Sequence, residues 1–183
     1  MSLFERIKLH YYRNALNRRL RNGSVRRTSM AFEEIRTVGI VYDRDLRTDE
    51  QNIRAFAKQL EREGKRVDLL VVTQEKTPDP QATVPHLTRA DVNWHYIPTG
   101  ESALLFMNQP FDLLLDLCSS NTHTVNYIAA GSKAKFRVGT STNADAPYEL
   151  VIDPGTGTET RQLIQQVSRY LKIMHQNMPS HTA

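Results

Sequence analysis

The stretch from Phe111 to Gly139, FDLLLDLCSSNTHTVNYIAAGSKAKFRVG, limits the fold more than any other. Three consecutive leucines between Asp112 and Asp116 leave no water-facing side. A strand made of Phe111 to Leu117 must therefore be covered on both faces, as strands of parallel sheets are. A hydroxyl-rich turn follows, then a short helix from Thr124 to Gly131 and a second strand from Phe136 to Gly139. Strand, helix and strand in that order make a parallel crossover unit.

A second unit precedes it. TVGIVY, Thr37 to Tyr42, is short, apolar and β-branched. Thr48 with Gln51 predicts a capping box for a helix running to about Glu63, with Ile53, Phe56, Ala57 and Leu60 inward. Gly64 suits the C′ position, and RVDLLVVT, Arg66 to Thr73, is the next strand. Residues 74–91 hold three prolines and read as a long loop with room for one helical turn. Trp94 to Ile97 then reads as a third strand, and residues 100–109 as a short helix burying Leu104, Leu105 and Met107. Tyr148 to Ile152 is a last strand. The closing helix runs from a Thr158 cap to about Gln176, with Leu163, Ile164, Val167, Tyr170, Leu171 and Met174 at helical spacing. The expected fold is α/β: a three-layer Rossmann-like or flavodoxin-like, mainly parallel sheet of five or six strands, with an N-terminal amphipathic basic helix. Periodicity does not give the strand order.

The charge is unevenly placed. Residues 1–27 hold eight basic residues against Glu5 alone, a net +7. The rest holds sixteen basic against nineteen acidic, a net −3, so the overall +4 is a property of the first segment. A mildly acidic globular part argues against a nucleic-acid-binding core. The chain accordingly divides into a basic helical arm at 1–27, a linker at 28–36, an α/β domain at 37–178 and a loose tail at 179–183. Residues 2–22 predict a helix, with Ser2 and Glu5 as a capping box, Asn22-Gly23 as its stop, and Phe4, Ile7, Tyr11, Tyr12, Leu16 and Leu20 as an apolar stripe. Three readings of that helix stay open. The stripe packs on the domain or a second copy; the helix lies on an anionic membrane surface; or it binds RNA or an acidic protein partner. Arg6, Lys8, Arg13, Arg18, Arg19 and Arg21 are the partner-binding candidates.

The single cysteine, Cys118, excludes an intrachain disulfide and fits a reducing compartment. Leu3, Phe4, Ile7 and Leu9 are interrupted by Glu5, Arg6 and Lys8, so no signal peptide is expected, and no apolar run reaches transmembrane length. The expected location is the cytoplasm.

Parallel strands gather their C-terminal ends on one edge, where ligands of α/β sheets sit. That edge would carry Asp43 and Asp45 after the first strand and Asp116 to His123 after the FDLLLDL strand. If these strands are neighbours, Asp43 and Asp116 could bind a divalent cation; the plainer alternative is that each meets a cation or a helix terminus. Ser119, Ser120, Asn121 and Thr122 precede a helix and could hold an anion there, or simply cap it. Cys118 near His123 reads as a small buried hydrophobe, because no third group orients the histidine. Gly155-Thr156-Gly157 lacks the lysine of a phosphate loop and reads as a turn. No cofactor is identified.

Over nearly the whole chain the basic helix, the FDLLLDL to FRVG stretch, YELVID and YLKIM resemble a domain-of-unknown-function family from Bacteroidota. The resemblance implies the fold and a cytoplasmic setting without an activity. Phe111 to Gly139 is also similar to the N-terminal half of heptosyltransferase-type glycosyltransferases, down to Arg137-Val138-Gly139. This chain has Tyr42-Asp43-Arg44-Asp45 where those enzymes carry a glycine-containing loop, and it is too short for their second domain. FDLLLDL further resembles the phosphoacceptor strand of receiver domains, with Asp43 and Asp116 as the acidic pocket, but the last strand ends Ile152-Asp153-Pro154 without their lysine. The expected function is therefore a non-enzymatic interaction module presenting the basic helix. The alternative is a small enzyme or ligand-binding domain using Asp43, Asp116 and Ser119 to Thr122.

Overall fold

The computed structural model describes residues 2–21, 25–28, 30–44, 48–77, 79–119, 122–140, 146–153, 155 and 158–176, with side chains up to 173. Six strands form one sheet in which every ladder is parallel: β1 (Thr37–Asp43), β2 (Arg66–Val72), β3 (His86–Leu87), β4 (Leu113–Asp116), β5 (Phe136–Gly139) and β6 (Leu150–Val151). Their order across the sheet is β3-β2-β1-β4-β5-β6. The direction of strand addition reverses between β1 and β4, which gives the sheet the doubly wound Rossmann order.

Side-chain alternation explains why both faces are covered. Val38, Ile40, Tyr42, Leu113 and Leu115 point to one side, into a core with α2 (Glu50–Arg62) and α5 (Thr160–Gln176). Val41, Leu70 and Leu114 point to the other, against α3 (Glu101–Asn108) and α4 (His123–Gly131). Five helices are described, and α1 (Leu3–Arg21) forms a further layer outside α4. There Tyr12 and Leu16 are buried against Tyr127 and Ala130. The segment after α1 is also tied down. Arg27 donates to the carbonyls of Ser132 and Ala134, just past the end of α4, where the helix dipole favours a cation.

Several local expectations change. Asp49, not Thr48, caps α2, accepting from the amides of Gln51 and Asn52 at 3.0 and 3.2 Å. Thr48 instead donates to Asp43. Gly64 ends α2 with φ +82°, as a C′ glycine should. The third strand is His86–Leu87, inside the expected loop, and a 3-10 turn over Arg89–Asp91 follows it. Residues 94–97 are no strand. The Asn93 side chain accepts from the amides of His95 and Ile97, the Asn93 carbonyl accepts from the Tyr96 amide, and Tyr96 sits at φ +66°. In α3 the inward residues are Ala103, Phe106 and Met107, leaving Leu104 and Leu105 exposed. In α5, which starts at Thr160 rather than Thr158, Leu163, Val167 and Leu171 are buried while Tyr170 is exposed. Asn22-Gly23, Gly157 and the tail lie outside the described residues.

Because Leu16 is 2% exposed, Leu16→Ala should cost about 3 kcal/mol. Urea denaturation reads this directly. A helix held only loosely to the domain would give a loss near zero.

Candidate functional site

The parallel register brings the C-terminal ends of β1 and β4 together, Val41 lying opposite Asp116. Asp43 and Asp116 are therefore on adjacent strands, both buried. Each carboxyl is met by protein donors. Oδ1 of Asp43 accepts from Thr48 Oγ1 and from the Ser119 amide, both at 2.8 Å, and Oδ2 accepts from Ser119 Oγ at 3.1 Å. The loop leaving β4 is in this way stitched to the end of β1, across the switch point.

Asp116 accepts from the Cys118 amide at 2.9 Å, and the Tyr148 hydroxyl donates to its Oδ2 at 2.5 Å. The Tyr148 ring reaches it across Gly139, where an added Cβ would come within 2.5 Å of the phenol. Burial raises the Asp116 pKa, the Tyr148 and Cys118 hydrogen bonds pull it back, and the Asp43 charge raises it further. Burial likewise pushes the Cys118 thiol well above its usual value. A thiol held protonated is not a nucleophile, and His123 is turned elsewhere, between the rings of Tyr12 and Tyr96. Among the described residues no group of three or more His, Cys, Asp or Glu side chains could hold a metal ion.

Of the turn predicted to hold an anion, Ser119 is engaged with Asp43, and Thr122 caps α4 by accepting from the Val125 amide at 3.3 Å. Ser120 and Asn121 lie outside the described residues. Arg137 of the Arg-x-Gly motif is buried and paired to Glu149, Nη2 to Oε1 at 2.6 Å and Nε to Oε2 at 3.1 Å. It holds the segment leading into β6.

The same sheet edge carries a cavity of about 460 Å³ on the β2 side of the switch point. Thr73 and Gln74 after β2 form its floor with Val72. Arg89, Val92 and the 93–96 turn after β3 form one wall, the start of α4 another, and Lys8 of α1 closes it. Asp43 and Asp116 do not line it. The Lys8 ammonium pairs with Glu5 at 3.2 Å and lies 4.3 Å from the centre of the Tyr96 ring. Tyr96 in turn donates to Glu5 at 3.1 Å. The Arg89 guanidinium is exposed, with no side-chain partner among the described residues. Burial, with Arg13 and Lys8 nearby, keeps the His123 imidazole below its ordinary pKa against the opposing pull of Glu5, so it is uncharged at neutral pH.

Beside this cavity the outer side of α1 is apolar. Phe4, Tyr11 and Trp94 are more than half exposed, and Leu3 and Ile7 are exposed with them. Phe4 stacks on Trp94 and Tyr11 meets it edge-on, with ring centres 6.2 and 5.5 Å apart. The predicted single stripe is thus two. Tyr12 and Leu16 face α4, while Leu3, Phe4, Ile7 and Tyr11 face out. The six partner-binding candidates divide too. Lys8 is half-buried, and Arg19 donates to the Tyr127 hydroxyl at 3.2 Å. Arg6, Arg13, Arg18 and Arg21 are exposed and form no ion pair among the described residues. Trp94 was missed as a functional candidate because an aromatic in the run WHYI satisfies strand propensity equally well. Its being the chain's one tryptophan, set between Asn93 and His95, was the available signal.

Residues 8–174, from α1 through all but the end of α5, match a family of unknown function, DUF6913. The chain belongs to that family. No curated protein and no solved structure shows detectable similarity to it. The DUF6913 match spans the sheet, the cavity wall and most of α1, so the basic helix lies within the family's domain from Lys8 onward.

The pH behaviour of Asp116 tests the switch-point network. A carboxyl with a raised folded pKa binds its proton more tightly in the native state. It therefore contributes stability below its unfolded value, near 3.8, and loses it as pH rises through the folded value. Urea midpoints between pH 4 and 7 should fall with pH more steeply in the wild type than in Asp116→Asn, the difference isolating this one group.

Proposed function

We propose that this protein is an interaction module that docks on an anionic membrane surface through the outer side of α1 and Trp94. The observation that carries this reading is the joining of five exposed apolar side chains, three of them aromatic, to a segment of net charge +7. Isolated exposed hydrophobics are ordinary, but a contiguous patch rimmed by cations marks an interaction surface. A lone helix on the outside of a domain is convex. A protein partner must supply a matching groove for it, whereas a lipid interface takes up a convex apolar surface without one. Aromatic side chains and arginines are the residue types that settle at that interface, the rings at headgroup depth and the cations against anionic lipid. No helix among the described residues is long and apolar enough to cross a membrane, so the contact would be peripheral.

Co-sedimentation with vesicles decides it. The protein should pellet with phosphatidylcholine vesicles containing phosphatidylserine and stay in solution with phosphatidylcholine alone. Phe4→Ser with Trp94→Ser should weaken binding at least about tenfold through lost apolar contact. Replacing Arg6, Arg13 and Arg18 by Gln should weaken it about a hundredfold, at roughly 1 kcal/mol per cation near the surface. All these side chains are exposed, so the variants should keep the wild-type melting temperature. Equal binding to neutral vesicles, no binding to either, or retention of single-stranded RNA by the same arginines in place of lipid would overturn the proposal.

A further inference from the structure

We infer that the cavity between β2, the 93–96 turn and the start of α4 is a binding site for a small organic phosphate bearing a planar ring, of the size and chemistry of a nucleoside monophosphate. It does not rest on the membrane reading: Trp94 borders both surfaces, but Arg89, Tyr96 and His123 belong to the cavity alone. The cavity lies at the C-terminal edge of a parallel sheet, where the loops leaving the strands leave space between them. At about 460 Å³ it falls within the range of small-molecule sites.

Its lining is divided chemically. Val72 and Val92 are apolar, and Trp94 and Tyr96 offer aromatic surface on which a flat ring stacks. Arg89 and Lys8 bring positive charge to the same space, and His123 brings a neutral imidazole with no hydrogen bond to either nitrogen among the described residues. Lys8 is already held by Glu5 and Tyr96, so it is positioned in advance rather than free to swing. Arg89 is the uncommitted cation, and a guanidinium fork matches phosphate oxygens two at a time. The Thr122 hydroxyl is occupied in capping α4, so the inference does not depend on that helix end. Nor does it use the switch point, where Thr48 and Ser119 close over Asp43 and Tyr148 closes over Asp116.

Calorimetric titration of the full chain with AMP, GMP, CMP and UMP is the test, with adenosine and inorganic phosphate as controls. At least one monophosphate should bind, with both controls at least about tenfold weaker, because each supplies only half of the recognition. Arg89→Gln should reduce that affinity at least about tenfold without moving the melting temperature, since its side chain is exposed and unpaired. The same variant should bind anionic vesicles like the wild type, whereas Phe4→Ser should keep nucleotide binding. No heat from any monophosphate at about 1 mM, or a nucleoside binding as tightly as its monophosphate, would overturn the inference.

Discussion

The packing of Tyr12 and Leu16 against Tyr127 and Ala130 fixes what this protein can present to its surroundings. It commits one stripe of α1 to α4. In a helix, residues one apart in sequence are about 100° apart in direction, so Tyr11 faces out because Tyr12 faces in. The same seating puts Phe4 and Tyr11 beside Trp94 and brings Lys8 to the mouth of the cavity. Arg27, bonded to carbonyls just past the end of α4, ties residues 25–28 to the same side of the domain. An apolar surface turned to water contributes nothing to the stability of the monomer, so its presence beside a cationic rim asks for a function.

The sheet supplies the complementary constraint. Its order reverses between β1 and β4, and in doubly wound folds that reversal opens a crevice. Here Ser119 and Thr48 close over Asp43, and Tyr148 closes over Asp116. Carboxyls supplied with hydroxyl and amide donors are stable when buried. The space at the strand ends is instead displaced toward β2. There β3 is only two residues long, and the loop after it carries Arg89 and the aromatic turn.

The α/β class was legible in the sequence because its strongest signals are long or unmixed. LLLD admits a strand buried on both faces, and Ile53, Phe56, Ala57 and Leu60 recur as one side of a helix. The readings that failed share a cause: two patterns were equally good locally and a tertiary partner chose between them. WHYI has the propensity of a strand, but the Asn93 side chain folds it into a turn. In α3, Met107 faces inward as expected, but spacing alone permits either Leu104 and Leu105 or Ala103 and Phe106 to join it, and the packing of Phe106 against Phe111 selects the latter. Thr48 and Asp49 are both good caps, and Asp43 takes the threonine. His86–Leu87 is too short to show any period. At the candidate sites, the adjacency of Asp43 and Asp116 followed from strand order, which periodicity does not encode. The cavity is assembled from side chains as far apart in sequence as Lys8, Arg89 and His123.

Whether the aromatic side of α1 meets an anionic surface can be read directly, because the protein carries its own reporter. Trp94 is the only tryptophan in the chain, and it sits in the centre of that patch, 51% exposed. Its emission spectrum should be recorded while vesicles of phosphatidylserine and phosphatidylcholine are added, with pure phosphatidylcholine in parallel. A shift to shorter wavelength, together with protection from iodide quenching, is expected with the anionic vesicles alone and should be reversed by salt. Unchanged emission and unchanged quenching in the presence of anionic vesicles would contradict the account.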